Sequence, residues 1–210
     1  MTQIKSKKLL IATTNPAKFA EIKETLSDLP VEFVSLTDMG ITQSAEETGK
    51  TFEENALLKA KFYSGLSGLP AVTDDGGLEI DMFGGEPGVH SHRWIHKDRE
   101  DTDEELINFT IMRMDKVPLE KRGAQLRVVL AFVPLKGQAV IREGTIRGII
   151  AEKASEYRRK GFPYRSLLYI PEIGKYYNDD ELTREEIKKY NHRRRALQEL
   201  KPFIRKTLSA

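Results

Sequence analysis

Thr73-Asp74-Asp75-Gly76-Gly77-Leu78-Glu79-Ile80-Asp81, followed by Gly84-Gly85-Glu86-Pro87-Gly88, is the stretch on which the reading of this 210-residue chain turns. Two adjacent carboxylates on a tight turn repel one another, and a cation between them relieves that repulsion. The glycines beside them let backbone come close to a ligand where a bulkier residue would not. A ligand-free turn rich in Asp and Gly has the same composition, so the neighbouring segments decide between the two.

Upstream, Ala71 to Thr73 reads as a short strand that delivers the carboxylates. Leu9 to Thr13 reads as a buried strand and Val31 to Ser35 as a second one. Between them Asn15 caps a helix, Pro16 fits its first turn, and Phe19, Ile22 and Leu26 form one apolar face. Thr51-Phe52-Glu53-Glu54 is a capping-box pattern opening a helix to about Ser64. Downstream, Thr102 and Glu105 open a helix carrying Leu106, Phe109 and Met112. Leu126 to Leu135 and Val140 to Ile150 read as long strands joined at Lys136-Gly137. Thr183 with Glu186 starts a C-terminal helix that Pro202 should kink or interrupt. Helices mixed with short and long strands predict an α/β (mixed α+β) fold. No repeat or linker divides residues 1–210, so one domain is expected.

Composition sets limits on function. Apolar residues make up 39% of the chain and charged residues 31%, as in an ordinary soluble protein, and the net charge of +2 argues against a general nucleic-acid coat. With no cysteine there is no disulfide framework or thiol nucleophile. Met1 to Lys8 is polar and only a short apolar run follows, so neither a signal peptide nor a membrane span is expected, and the cytoplasm is the default location.

Four groups of residues could carry chemistry. Thr13-Thr14-Asn15-Pro16-Ala17-Lys18 offers a helix start and a mobile cation to a phosphate, although Asn15 and Pro16 equally make a good helix start and nothing more. Glu46 or Glu47 could join Asp75 around a magnesium ion, which takes hard oxygen ligands. Asn55 and Lys59 lie four residues apart on one helical face and could both point into a cleft, and Glu54 suits its capping box better than a metal. In the segment from His90 to Arg93, zinc lacks enough ligands, which leaves Arg93 as a phosphate contact. Phe162 and Tyr164 could stack on a planar base, with His192 and Arg193 hydrogen-bonding to it; core aromatics and a solvated basic helix are the plainer alternatives.

In this order the segments resemble the inosine/xanthosine triphosphate pyrophosphatase family. The likeness rests on Ile11 to Lys18, Glu46 to Ala56, Asp74 to Leu78, Gly84 to Val89 and His192-Arg193. The resemblance implies an elongated central mixed sheet flanked by helices, two lobes with an active-site cleft between them, and a homodimer. It implies Mg²⁺-dependent hydrolysis of non-standard purine triphosphates (ITP, dITP, XTP) to the monophosphate and pyrophosphate. By position, Thr13, Thr14, Asn15 and Lys18 would hold phosphates with support from Lys59. Glu46 or Glu47 and Asp75 would hold the metal. Asp75, with Asp74, would orient or deprotonate water. Phe162, Tyr164, His192 and Arg193 would face the base.

The chain also departs from that pattern. Gly76 stands where the family has a serine, removing a substrate-facing hydroxyl. Pro163, Arg165 and Ser166 replace glycine, aspartate and proline, placing a base where an acid is usual. Asn191 replaces serine. A family lysine falls on Ile187, with Lys188 adjacent as a substitute. Altered base selectivity, or nucleotide binding without turnover, is the alternative these changes suggest. A nucleic-acid-binding module using Lys188, Lys189 and Arg193 to Arg195 is disfavoured by the near-neutral charge, and no membrane partner is expected.

Overall fold

The computed structural model describes residues 7–209, so the polar start Met1 to Ser6 lies outside the described residues. Seven strands form one mixed sheet: β1 (Lys8–Ile11), β2 (Glu32–Ser35), β3 (Ala71–Ile80), β4 (Gly123–Val133), β5 (Val140–Ile150), β6 (Leu168–Ile170) and β7 (Lys175–Tyr176). Their order is β2-β1-β3-β4-β5-β6-β7. β1 runs parallel to β2 and β3, while β6 runs antiparallel to β5 and β7. Five α-helices accompany the strands: α1 (Pro16–Thr25), α2 (Phe52–Ser67), α3 (Asp103–Arg113), α4 (Arg184–Tyr190) and α5 (His192–Ser209). The chain divides into two compact units. The first holds residues up to Asp75, Val129–Glu143 and Arg193 onward; the second holds Gly76–Val128 and Gly144–His192.

In the first unit, β1 is apolar from Leu9 to Ile11 because both its faces are covered there. Leu9 and Ile11 pack with Ile22, Leu26, Leu197 and Leu200, so α1 and α5 share that core. Leu10, on the opposite face, packs with Val34, Leu36, Tyr63 and Ala71. The predicted Phe19, Ile22 and Leu26 face of α1 is therefore the face that is used. The second unit is built around Leu78, Ile80, Leu106, Ile107, Met114, Leu126, Ile150 and Tyr177. Arg122 is buried there without a carboxylate: its guanidinium donates to the carbonyls of Ile150, Met114, Val117 and Ala151. Met114 ends α3, so the cation also meets carbonyls that the helix leaves unpaired.

Four local expectations need correction. β3 does not stop at Thr73; it runs on to Ile80, and the carboxylate pair sits inside an extended strand rather than on a turn. On α3 the buried residues are Leu106, Ile107 and Thr110, whereas Met112 is 61% exposed. At α2, Thr51 Oγ1 accepts the Glu54 N–H, but the Glu54 carboxylate accepts from Lys50 N instead of closing the box on Thr51. The C-terminal helical segment breaks at Asn191 and α5 continues through Pro202. A buried Leu200 and Ile204 flank that proline. Their burial contributes about 1.5–3 kcal/mol each, enough to offset the roughly 3 kcal/mol that an interior proline costs.

Candidate active site

Side chains alternate across an extended strand, so Asp74 and Asp75 point to opposite faces of β3 and find different partners. Asp74 Oδ2 receives both Lys18 Nζ and Arg193 Nη2, each at 3.1 Å. Arg193 Nη1 also donates to Glu21 Oε2 at 2.9 Å. Lys18 and Glu21 lie one turn apart on α1, and Arg193 is the second residue of α5. A buried chain Lys18–Asp74–Arg193–Glu21 results, with alternating charge from end to end.

Asp75 meets a different cation. Lys59 Nζ donates to Asp75 Oδ1 at 2.8 Å and lies 3.4 Å from Glu47 Oε2. The other oxygen, Asp75 Oδ2, is buried and has no hydrogen-bond partner. Asn55 sets the approach of Glu47. It is buried in the first turn of α2, and its Oδ1 accepts the Gly49 N–H at 2.8 Å. A Cβ at Gly49 would stand 2.6 Å from that oxygen, so only glycine lets the loop close here. Asn55 therefore serves the loop. Both candidate glutamates are exposed, and it is Glu47 that the structure brings to Lys59.

These settings drive the two carboxyls apart. Burial alone would raise Asp74, but the charges of Lys18, Arg193 and Lys59 outweigh it and hold the carboxyl well below the usual range. Burial raises Asp75, the adjacent Lys59 opposes that rise, and Glu47 adds to it. Burial would lower Lys59, yet Asp75 and Glu47 together push it up. Asp74 is thus a fixed anion, and Asp75 is the carboxylate that holds a proton more readily. Neighbouring acids with opposed shifts commonly mark divided chemical roles.

At the start of α1, Asn15 Oδ1 accepts the N–H groups of Ala17 and Lys18, and Thr13 Oγ1 accepts that of Asn15. The capping role of Asn15 is realised, and two of the helix's unpaired donors are already engaged. Thr14 is exposed beside them.

The remaining candidates lie in the second unit. Tyr164 is buried and donates its hydroxyl to the Ser91 carbonyl at 2.6 Å; the same burial pushes its phenol well up. Phe162 is buried too, with the Arg165 guanidinium 4.1 Å from its ring centroid. His192 Nδ1 and the Tyr177 hydroxyl share a hydrogen bond of 2.8 Å. Arg93 is mostly exposed, 3.9 Å from Glu100. Ile187 packs against the core while Lys188, one position on, is exposed, so the two do not occupy equivalent places. Asn191 donates its N–H to the Ile187 carbonyl and ends α4. Pro163 opens a short 3₁₀ turn through Ser166. At Gly76 a Cβ would lie 2.3 Å from the Arg127 carbonyl oxygen and 2.8 Å from Val128 Cα, so β4 backbone occupies the space of any side chain.

Two participants escaped the sequence reading. Glu21 has a usable signal, since it stands three residues after Lys18 on the same helix. Asp179, which pairs with Arg165, has none, because nothing in the local pattern sets it apart from Asp180.

Comparison with known proteins places this arrangement. The Ham1 family model matches residues 9–203. A dITP/XTP pyrophosphatase of Yersinia pestis is 39% identical over 192 residues, covering 90% of this chain and 94% of its own. A HAM1 protein from Coxiella burnetii superposes with a TM-score of 0.80 at 30% identity, over 94% of this chain and 98% of its own. The nucleoside-triphosphatase, or dITP/XTP pyrophosphatase, of Mycobacterium abscessus gives 0.71 at 36% identity, over 93% and 99%. The mixed seven-stranded sheet, the ordered motifs and these matches agree: this chain belongs to the Ham1 family.

Proposed function

We propose that this protein hydrolyses non-standard purine nucleoside triphosphates of the dITP and XTP kind, releasing pyrophosphate and the monophosphate. The observation that carries the reading is the orphaned, buried Asp75 Oδ2 on a carboxyl whose affinity for a proton is raised beside Lys59. A buried acceptor left unpaired costs about 1–3 kcal/mol, which a water or a cation at that oxygen would recover. Asp75 and Glu47 supply the hard oxygen donors that Mg²⁺ prefers, and these residues would hold it. Once bound, the ion would neutralise charge growing on the departing pyrophosphate. Asp75 accepts a proton from the attacking water and aims that water at the α-phosphorus. Lys18 and Lys59 are the nearby cations for the phosphate chain. Asp74, paired with both Lys18 and Arg193, holds the Lys18 ammonium in place beside β3.

Assembly as a homodimer and residence in the cytoplasm belong to the same proposal and are supported by family resemblance. Among the described residues no helix is long and apolar enough to cross a membrane. The deciding experiment is pyrophosphate release with Mg²⁺ from a panel of inosine, xanthosine, guanosine, adenosine and pyrimidine triphosphates. Turnover of the deaminated purines is expected. Saturable binding of all of them with no release, unchanged in Asp75→Asn, would replace the enzyme with a nucleotide-binding protein.

A further inference from the structure

Ser91 is buried to 2% exposure, and its side chain lies directly against β3. Its hydroxyl accepts the Leu78 N–H at 3.0 Å and donates to the Gly88 carbonyl at 2.6 Å. Its own carbonyl accepts the Tyr164 hydroxyl at 2.6 Å. One residue thus ties together the strand that carries the two aspartates, the glycine-rich loop after it and the 3₁₀ turn that Pro163 opens. The loop is joined to β3 a second time at Ile80, whose N–H donates to the Glu86 carbonyl and whose carbonyl accepts from Gly85 N. That join is backbone to backbone. The one at Leu78, nearer to Asp75, rests on a side-chain hydroxyl. Two consecutive glycines show how closely the strand is held there. At Gly76 the place of a Cβ is taken by β4 backbone, and at Gly77 a Cβ would lie 1.8 Å from Ser91 Oγ. The segment directly after Asp75 is therefore confined by β4 and by Ser91.

We propose that Ser91 is a positioning residue: through Leu78 it fixes β3 just beyond Asp75, and so keeps that carboxyl aligned for the attacking water. The inference rests on the pyrophosphatase reading and adds to it a residue that acts through the strand. A misplacement of about 1 Å at a reacting group costs on the order of 10²-fold in rate, even when its origin is remote from the chemistry. Without the hydroxyl, the buried Leu78 N–H loses its acceptor, and a shift of the strand is the way to recover one. Tyr164 anchors Ser91 in turn, by holding its carbonyl. Lys18 and Lys59 stand on α1 and α2, so the cations assigned to the phosphate chain do not depend on this contact.

The test measures kcat and KM for XTP with Mg²⁺, together with hydrogen exchange at the Leu78 amide. It uses the wild type, Ser91→Ala, Tyr164→Phe and the double variant. Ser91→Ala should lower kcat by about 10–100-fold, with KM changed by no more than about twofold. Its Leu78 amide should exchange at least about tenfold faster, because the strand opens locally more often. Tyr164→Phe should lower kcat in the same direction by a smaller factor. The double variant should be little worse than Ser91→Ala, since both changes release the same pin. The proposal is overturned if a folded Ser91→Ala keeps kcat within about twofold of wild type, if its loss falls on KM instead, or if the two single losses multiply. Should Ser91→Ala fail to fold, Tyr164→Phe decides alone, and an unchanged kcat overturns the proposal. Wild-type protein that releases no pyrophosphate from any triphosphate would strike the pyrophosphatase reading and the alignment built on it. Unchanged Leu78 exchange in Ser91→Ala would strike the pin itself, whatever the turnover.

Discussion

Asp74 and Asp75 are neighbours in sequence, yet their carboxylates never share a cation as their nearest partner: Lys18 and Arg193 hold the first, and Lys59 holds the second. The strand, by turning them to opposite faces, resolves a repulsion that a turn would have concentrated. It also separates an anion that cannot be protonated near neutral pH from one that binds a proton more readily. Asp75→Asn should keep the fold and nucleotide binding while lowering kcat for pyrophosphate release by about 10²–10⁴-fold, the range for losing a general base. Rapid-quench measurement of the chemical step checks this. A variant with near-wild-type kcat would remove Asp75 from the reaction.

The two glutamates before α2 make a sharper comparison. Both are exposed, but Glu47 reaches Lys59, whose ammonium also holds Asp75, from the loop that Asn55 ties down at Gly49. Glu47→Gln should raise the Mg²⁺ concentration needed for half-maximal activity by at least about tenfold, the low end for a weakened metal site. Glu46→Gln should leave it within a factor of two or so, as for an ordinary surface change. Metal titrations of the two variants side by side provide the check, and equal effects would mean that the loop closes differently in solution.

How far these features could be read in the sequence depended on the range of the forces that fix them. Helix starts were legible because caps are local: Asn15, Thr51, Thr102 and Thr183 each accept an N–H within their own first turn. The buried strand β1 was equally plain from its apolar run. β3 was not, since Asp-Asp-Gly-Gly has the composition of a turn, and its extended form depends on β4 backbone lying against Gly76. The choice of Glu47 over Glu46 needed a hydrogen bond from the Gly49 N–H to Asn55, six residues further on. Arg193 was read as facing a base, but the structure buries it between Glu21 and Asp74, partners more than a hundred residues away. No pattern in a single sequence reports such a pairing.

That buried chain predicts a particular failure on truncation. Arg193→Met removes the cation that Glu21 and Asp74 share and should destabilise the fold by roughly 3–5 kcal/mol in urea unfolding, the range for breaking a buried ion pair by removing one partner. Acid titration supplies a second measurement. Asp74 is depressed in the folded state from the ordinary 3.8, so its contribution is complete above about pH 4 and is lost as pH falls towards the folded value. Stability of the wild type should therefore drop on acidification below about pH 4, and Asp74→Asn should show a shallower drop across the same window. Parallel slopes would mean that Asp74 contributes nothing to acid sensitivity.

Gly76 offers a prediction that runs against simple restoration of the family pattern. A serine there would seem to return a lost hydroxyl, but its Cβ would meet backbone on two sides, at Arg127 and Val128. Backbone in a paired strand cannot move aside as a flexible side-chain tip can, so β3 and β4 would have to separate locally. Gly76→Ser should consequently lower stability by about 1–3 kcal/mol, the usual range for overpacking, without any gain in turnover. Thermal melts with parallel XTP and ITP assays decide the matter. A Gly76→Ser protein as stable as wild type and faster on either substrate would show that the strand accepts the hydroxyl and that the glycine marks a change of selectivity rather than of backbone spacing.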